Sequence, residues 1–345
     1  TGTVSGKKFV GGVVGVNAGV VQNCYNTGTI NGTITSGGVV GYNDGGTVKN
    51  CFNTGTVTCV ERVGGVVGNT TGTVENCYNT ATVSGETIVG GIIGYQGENS
   101  LVENCASLGS KILYFGGSTA DFGRVVGYHN MGTINNNKSR SDMLVNNAIV
   151  TGGAANDING ADVTVGDGTT QASVFGGWNS SVWTIPVSNL VAGETLPTLT
   201  VFSGKQTPTL PTVVKEGPKP LDDKITTLEP GNIYTVADSE QLARLASLSY
   251  VKWVSGYTVK LLNDIELSTI DNWAPIGSFS NNFAGIFDGC GFEVKNLKVS
   301  NNAVDYQGLF GYVASDGIVQ NVGVTGTVSG KENVGGVVGR NKGGI

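Results

Sequence analysis

Four cysteines recur in one setting: Asn23-Cys24-Tyr25-Asn26, Asn50-Cys51-Phe52-Asn53, Asn76-Cys77-Tyr78-Asn79 and Asn104-Cys105-Ala106. Thiols in such a series raise disulfides and soft-metal sites first, but the spacing suits neither. Zinc sites gather ligands around a point, usually from close C-x-x-C pairs, and the chain has none. Bridged cysteines need facing Cβ atoms, which in-register parallel neighbours lack. Stacked on adjacent strands, the four sulfurs form a column rising about 4.8 Å per step, in which free cysteines act as small apolar residues. Cys59 and Cys290 stand outside the column without an assigned role. One residue before each Asn come Gln22, Lys49, Glu75 and Glu103. Glu75 and Glu103 on neighbouring turns would lie about 5 Å apart, as in a retaining glycosidase pair; the other reading is a solvated charge row broken by Lys49. His129 is the single histidine. No H-E-x-x-H and no G-x-x-x-x-G-K-[ST] occurs, so the sequence predicts no metal and no cofactor.

The elements that position these residues are repeats. The block Val10-Gly11-Gly12-Val13-Val14-Gly15 returns ending at Gly41, Gly68, Gly94 and, degenerately, Gly127, with steps of 26, 27, 26 and 33 residues. The Asn-Cys element follows each of the first four blocks, and then a third, as in Thr27-Gly28-Thr29-Ile30 and Thr54-Gly55-Thr56-Val57. Each unit reads as three short β-prone pieces separated by Gly, Asn, Asp or Ser, with no helical stretch. Such a unit cannot bury its own apolar face. Stacking predicts an all-β parallel β-helix, a β-solenoid with turns of about 26 residues, Val and Ile inside and Gly at the corners. The Asn beside each Cys (Asn23, Asn50, Asn76, Asn104, and Asn321 later) is expected at a corner, its amides stacked along the axis. Tyr25, Phe52 and Tyr78 then form an aromatic ladder, a candidate binding stripe for a glycan or protein as well as a packing face.

The blocks and the N-C-Y-N-T-G element resemble the GLUG repeat of bacterial surface proteins, found in large cell-wall adhesins and in the non-catalytic part of immunoglobulin A peptidases. Tyr306-Gln307-Gly308-Leu309-Phe310-Gly311 resembles the fuller motif, and Phe283-Ala284-Gly285-Ile286-Phe287-Asp288-Gly289 the segment that commonly precedes it. The resemblance spans residues 1–138 and 232–345. It implies a repeat architecture on a cell surface rather than a particular partner.

Four domains follow: a solenoid at 1–138, an irregular β region ending that module at 139–207, a Pro-rich linker at 208–221, and a second solenoid at 222–345. The second opens on a short capping helix, with Asp238 as N-cap, Gln241 three residues on, and Leu242, Leu245, Ala246 and Ser249 at helical spacing. Residues 1–21 and 325–345 match at 15 of 21 positions. The chain thus reads either as a window on a tandem array or as a unit whose ends, Thr1, Thr3 and Val4 against Gly344 and Ile345, join head to tail.

Composition narrows the function. Of 345 residues 56 are Gly and 13% are charged, and the net charge of −6 with 20 Lys and Arg leaves no basic stripe for nucleic acid. No apolar run approaches the roughly 20 residues of a membrane span. The expectation is a non-enzymatic, extracellular structural or adhesive rod, secreted or on the bacterial surface, whose partners are copies of itself, host proteins or glycans. Two alternatives stand beside it: a carbohydrate-active enzyme using Glu75 and Glu103, and ice binding through Thr1/Thr3, Thr27/Thr29, Thr54/Thr56 and Thr80/Thr82, whose array resembles that of ice-binding proteins.

Overall fold

Glycine pairs set the local form of the chain. At Gly65 an added Cβ would run into the carbonyl of Gly91 and the Asn79 amide, and at Gly64 into Val67 O, Gly94 N and Ile92 O. Only a residue without a side chain lets the backbone of one turn bend there in contact with the next. The computed structural model describes residues 2–114, 121–214, 217–248 and 255–344. The glycine corner cuts the apolar block in two, so a coil has five strands rather than the expected three pieces. In the first coil these are β1 (Thr3–Ser5), β2 (Val10–Gly11), β3 (Val14–Asn17), β4 (Val20–Gln22) and β5 (Tyr25–Asn26). The five recur in order through five coils, the last starting at Lys111–Tyr114 and ending at Lys138–Arg140.

Every strand pairs in parallel with its counterpart one coil on, as in Val4↔Ile30, Ile30↔Val57, Val57↔Val83 and Val83↔Ile112. The result is a parallel β-solenoid. Two apolar columns fill each coil. One runs through Val39, Val66, Ile92 and Val125 beside Val48, Val74 and Val102; the other through Ile30, Val57, Val83 and Ile112. Each of these side chains contributes about 1.5–3 kcal/mol by leaving water.

The chain divides into two compact units, with the boundary between residues 215 and 216. Within the first unit, residues 139–211 do two things. Ile158 O accepts from the N–H groups of Val125 and Val126 (2.9 and 3.0 Å) and Ala161–Val163 pairs with Lys138–Arg140, which closes the last coil. Residues 164–211 then turn back along the side of the stack. They include a short helix not anticipated from sequence, α1 (Gln171–Phe175), N-capped by Thr170.

The expected linker is shorter than 208–221. Leu196 N donates to Pro208 O (2.8 Å), Leu210 N to Glu194 O (3.0 Å) and Arg140 to Pro211 O (2.7 Å), so residues 208–211 belong to the first unit. Proline blocks a ladder donor but leaves its carbonyl free to accept. At the other end Lys219–Pro220 pairs with Tyr234 and Thr235, and Leu221 is buried in the second unit.

The second unit is again a stack of parallel strands, with Ile233–Val236, Thr258–Leu261, Ile286–Asp288 and Ile318–Gln320 in one sheet. Helix α2 (Ser239–Ser247) is N-capped by Asp238, which accepts from Gln241 N at 2.9 Å, while Gln241 accepts from Ala237 N at 2.8 Å. Its Leu242 and Leu245 join the core of Tyr234, Val236, Val259 and Leu261. Ser249 lies outside the described residues. The last strands, Gly323–Ser329 and Val338–Asn341, stack on Glu293–Ser300 and Phe310–Val313.

Candidate functional site

A solenoid multiplies each side chain into a column, so its sites are columns. The cysteine column is internal: Cys51, Cys77 and Cys105 are buried, Cys24 is half-buried, and all are free. Each thiol donates to the carbonyl two residues back, Cys51 to Lys49 O at 3.1 Å and Cys77 to Glu75 O at 3.2 Å. Burial pushes the Cys77 thiol up, and Cys59 likewise, which keeps both neutral. In the fifth coil Asn137 takes the cysteine position, its Oδ1 accepting from Cys105 N at 2.9 Å. Cys290 is exposed in the second unit.

The asparagines before the cysteines are at corners for a conformational reason: Asn23, Asn50, Asn76, Asn104 and Asn321 have φ between 51° and 55°. Asparagine tolerates this left-handed region better than other side-chain-bearing residues. The continuous amide stack expected of them belongs instead to the asparagines three residues on. Asn26 donates to Asn53 and Asn53 to Asn79, both at 2.9 Å. Each also closes a turn on its own chain; Asn53 donates to Gly55 O at 2.8 Å and accepts from Gly55 N at 3.1 Å. A second buried polar column runs Asn17, Asn43, Thr70, Gln96, with Asn17 donating to Asn43 Oδ1 at 2.8 Å and Asn43 to Thr70 Oγ1 at 3.0 Å. It ends at His129, whose Nδ1 lies 3.0 Å from Gln96 Oε1. That places the single histidine in the scaffold.

Tyr25, Phe52 and Tyr78 do form a ladder, with ring centroids 5.2 and 4.9 Å apart and planes at 9° and 2°. It is covered, not an open stripe. Phe52 and Tyr78 are 1% and 0% exposed beneath Phe175, Trp178, Trp183, Leu196 and Leu199. Four stacked coils present a flat apolar face here, through Tyr25, Phe52, Tyr78 and Ala106, and residues 164–211 supply its other half. Polar anchors fix this roof: Tyr78 OH donates to Pro197 O (2.7 Å), Trp178 Nε1 to Asn104 O (3.1 Å) and Lys138 Nζ to Ser173 O (2.9 Å). Burial raises the Tyr78 and Tyr257 phenols well above their ordinary value.

A pH dependence follows. Above about pH 10 the unfolded phenols ionise while the folded ones stay neutral, so the folded state holds more protons and stability falls as pH rises. In a spectrophotometric titration these two tyrosines should ionise only with unfolding, after the exposed ones.

Gln22, Lys49, Glu75, Glu103 and Asn135 are in register as a single outward row. Asn135 donates to Glu103 Oε2 at 3.4 Å. The threonines do not make one flat array. Thr3, Thr29, Thr56 and Thr82 line one outward column, while Thr27, Thr54 and Thr80 border a groove of about 440 Å³ closed on its other side by Lys205–Pro211. The turn that Asn26 closes over Thr27 onto Gly28 separates the two threonine positions. Of the predicted assembly residues, Thr3 and Val4 are exposed and Gly344 N donates to Gly317 O at 3.0 Å; Thr1 and Ile345 lie outside the described residues. Among the described residues no cluster of three or more His, Cys, Asp or Glu could hold a metal, and no helix is long and apolar enough to cross a membrane.

The GLUG motif matches at residues 32–58 and 60–84, the middle of the first solenoid. The chain is 34% identical over 97 residues, 26% of its length, to a protein of Evansella cellulosilytica described as a Gly-rich membrane protein, of which this is 11%. It is 30% identical over 118 residues, 30% of its length, to halomucin of Haloquadratum walsbyi, of which this is 1%. The chain therefore spans about a tenth or less of the curated relatives it matches. No solved structure matches it.

Proposed function

We propose that this chain is a non-enzymatic rod segment of a cell-surface protein, exposed outside the cell. The observation that carries the reading is the repetition itself: five coils place the same side-chain columns in register, each coil hydrogen-bonded to the next on all five sheets. Work of this kind is mechanical. Stacked ladders give stiffness along the axis, and each outward column offers many weak copies of one contact. The GLUG matches and the relative described as a membrane protein support a surface location.

Adhesion to a host protein or glycan, in this reading, belongs to the open columns through Thr29 and Thr56 and through Lys49 and Glu75, since the aromatic ladder is roofed. Glu75 and Glu103 are row members and not a catalytic pair; changing both to Gln should leave any glycan cleavage by the parent protein unchanged. The location is tested on intact producing cells with a membrane-impermeant amine reagent followed by mass spectrometry. Modification of Lys49 and Lys111 without lysis is the expected result. Modification only after lysis would place the chain inside the cell and end this proposal.

A further inference from the structure

On the flank of the first solenoid, the groove bordered by Thr27, Thr54 and Thr80 has a volume of about 440 Å³, within the range of small-ligand clefts. Both walls lie in the first unit, one the side of coils one to three and the other the extended segment Lys205–Pro211. The threonine wall bears hydroxyls. Thr80 is 8% exposed and lines the groove, and its Oγ1 has no hydrogen-bond partner among the described residues. A hydroxyl buried to that degree and left unpaired costs stability, and a group seated in the groove would satisfy it as donor and acceptor. Thr54 and Thr27 repeat the position one and two rungs away, at about 4.8 Å per rung.

The other wall offers backbone. Leu196 N donates to Pro208 O (2.8 Å) and Leu210 N to Glu194 O (3.0 Å), which makes Thr195 and Thr209 an antiparallel pair without mutual hydrogen bonds. The N–H and C=O of Thr209 therefore leave on the opposite edge of the segment. Pro211 O lies on that same edge and accepts from Arg140 of the fifth coil at 2.7 Å, so the edge is turned toward the coils. Pro208 and Pro211 add C–H surface, and Lys205 is the one charged residue of the lining, exposed and without an ion pair among the described residues.

We propose that this groove binds a short oligosaccharide carrying a carboxylate, a uronate chain in chemical class. Sugar hydroxyls match the threonine hydroxyls on one wall and the Thr209 backbone on the other, ring C–H faces meet the prolines, and the carboxylate meets Lys205. The rungs advance by about 4.8 Å, close to one ring of a linear sugar chain, so successive rings meet equivalent threonines. A peptide strand fits only one wall, because Thr54 N and Thr80 N already donate to Asn26 O and Asn53 O within the stack (2.9 and 3.0 Å). The site is distinct from the open columns and holds its ligand in a cleft rather than on a face.

The test is calorimetric titration of the purified whole chain, which is independent of cellular location. Trigalacturonate is the probe, with uncharged maltotriose and an N-acetylated triglutamate peptide beside it. Trigalacturonate is expected to bind one per chain with a Kd below about 1 mM, and maltotriose at least about fivefold more weakly. Lys205→Gln should remove that difference. Thr80→Val should weaken both sugars at least about fivefold, while the melting temperature stays level or rises, since the substitution deletes an unpaired hydroxyl. Absence of trigalacturonate binding at about 10 mM overturns the proposal. So does equal binding of the two sugars by the parent chain, tighter binding of the peptide, or sugar binding indifferent to both substitutions.

Discussion

Alanine at Gly65 is expected to lower the melting temperature of the first unit by roughly 10 °C, from a loss of about 3 kcal/mol. The added methyl meets the Gly91 carbonyl of the next coil and the Asn79 amide. Both are held in place, Asn79 by its bond from Asn53 and Gly91 by the stacked corner above it. Backbone contacts of this kind cannot be relieved by a rotamer change, so the coils must separate locally or the corner must unbend. Gly65 is not among the positive-φ residues, which makes crowding rather than backbone conformation the cause. Gly177→Ala is the control: no atom lies within 4 Å of its added Cβ, and a change below about 0.5 kcal/mol is expected. Thermal denaturation of the two variants side by side separates a corner glycine from an incidental one.

Leucine at Asn53 is expected to cost about 3–4 kcal/mol. The replacement keeps the branched four-atom outline of the side chain while its methyls are bulkier than the amide, so lost hydrogen bonds and crowding against Gly38 act in the same direction. Asn53 is fully buried and makes four hydrogen bonds, to Asn26, to Asn79 and to both the N–H and the carbonyl of Gly55. Its neighbours in the column keep their own turn bonds, Asn26 to Gly28 and Asn79 to Ala81. Gly55 loses both side-chain partners, and its buried polar groups carry the penalty. Asn53→Asp should be at least as damaging, because the carboxylate keeps the acceptor, loses the donor and brings a charge into a dry column. Urea denaturation that found Asn53→Leu within about 1 kcal/mol of the parent would show that the amide ladder is incidental.

The axial repeat was legible because glycine pairs and Cys-containing elements recur in phase with the coils. The inward columns followed from Val and Ile at fixed offsets, and the capping helix from Asp238 and Gln241. Five strands per coil were not legible, since a strand of two residues such as Tyr25–Asn26 is too short to show alternation. The amide stack was assigned to the wrong asparagine of each N-C-Y-N element: both are turn formers, and only the fold shows that one sits in the left-handed region while the other points inward. The roof was hidden for a different reason. Its bond from Tyr78 to Pro197 joins residues 119 apart, and residues 164–211 carry no period to announce where they dock. Aromatic residues at Tyr25, Phe52 and Tyr78 signalled a ladder, but sequence alone gives no sign of whether water or Trp183 covers it.

The central claim is that equivalent residues of successive coils stand one strand spacing apart on a common axis. Nitroxides on Thr29→Cys and Thr56→Cys, with Cys24 and Cys290 changed to serine, test it by continuous-wave electron paramagnetic resonance of the whole chain. Stacking in register places these positions about 4.8 Å apart, so the pair should give a strongly spin-coupled spectrum, weakening for labels at Thr3 and Thr82, three rungs or about 14 Å apart. A spectrum for the 29/56 pair equal to the sum of the two singly labelled chains would contradict the stacked-coil account.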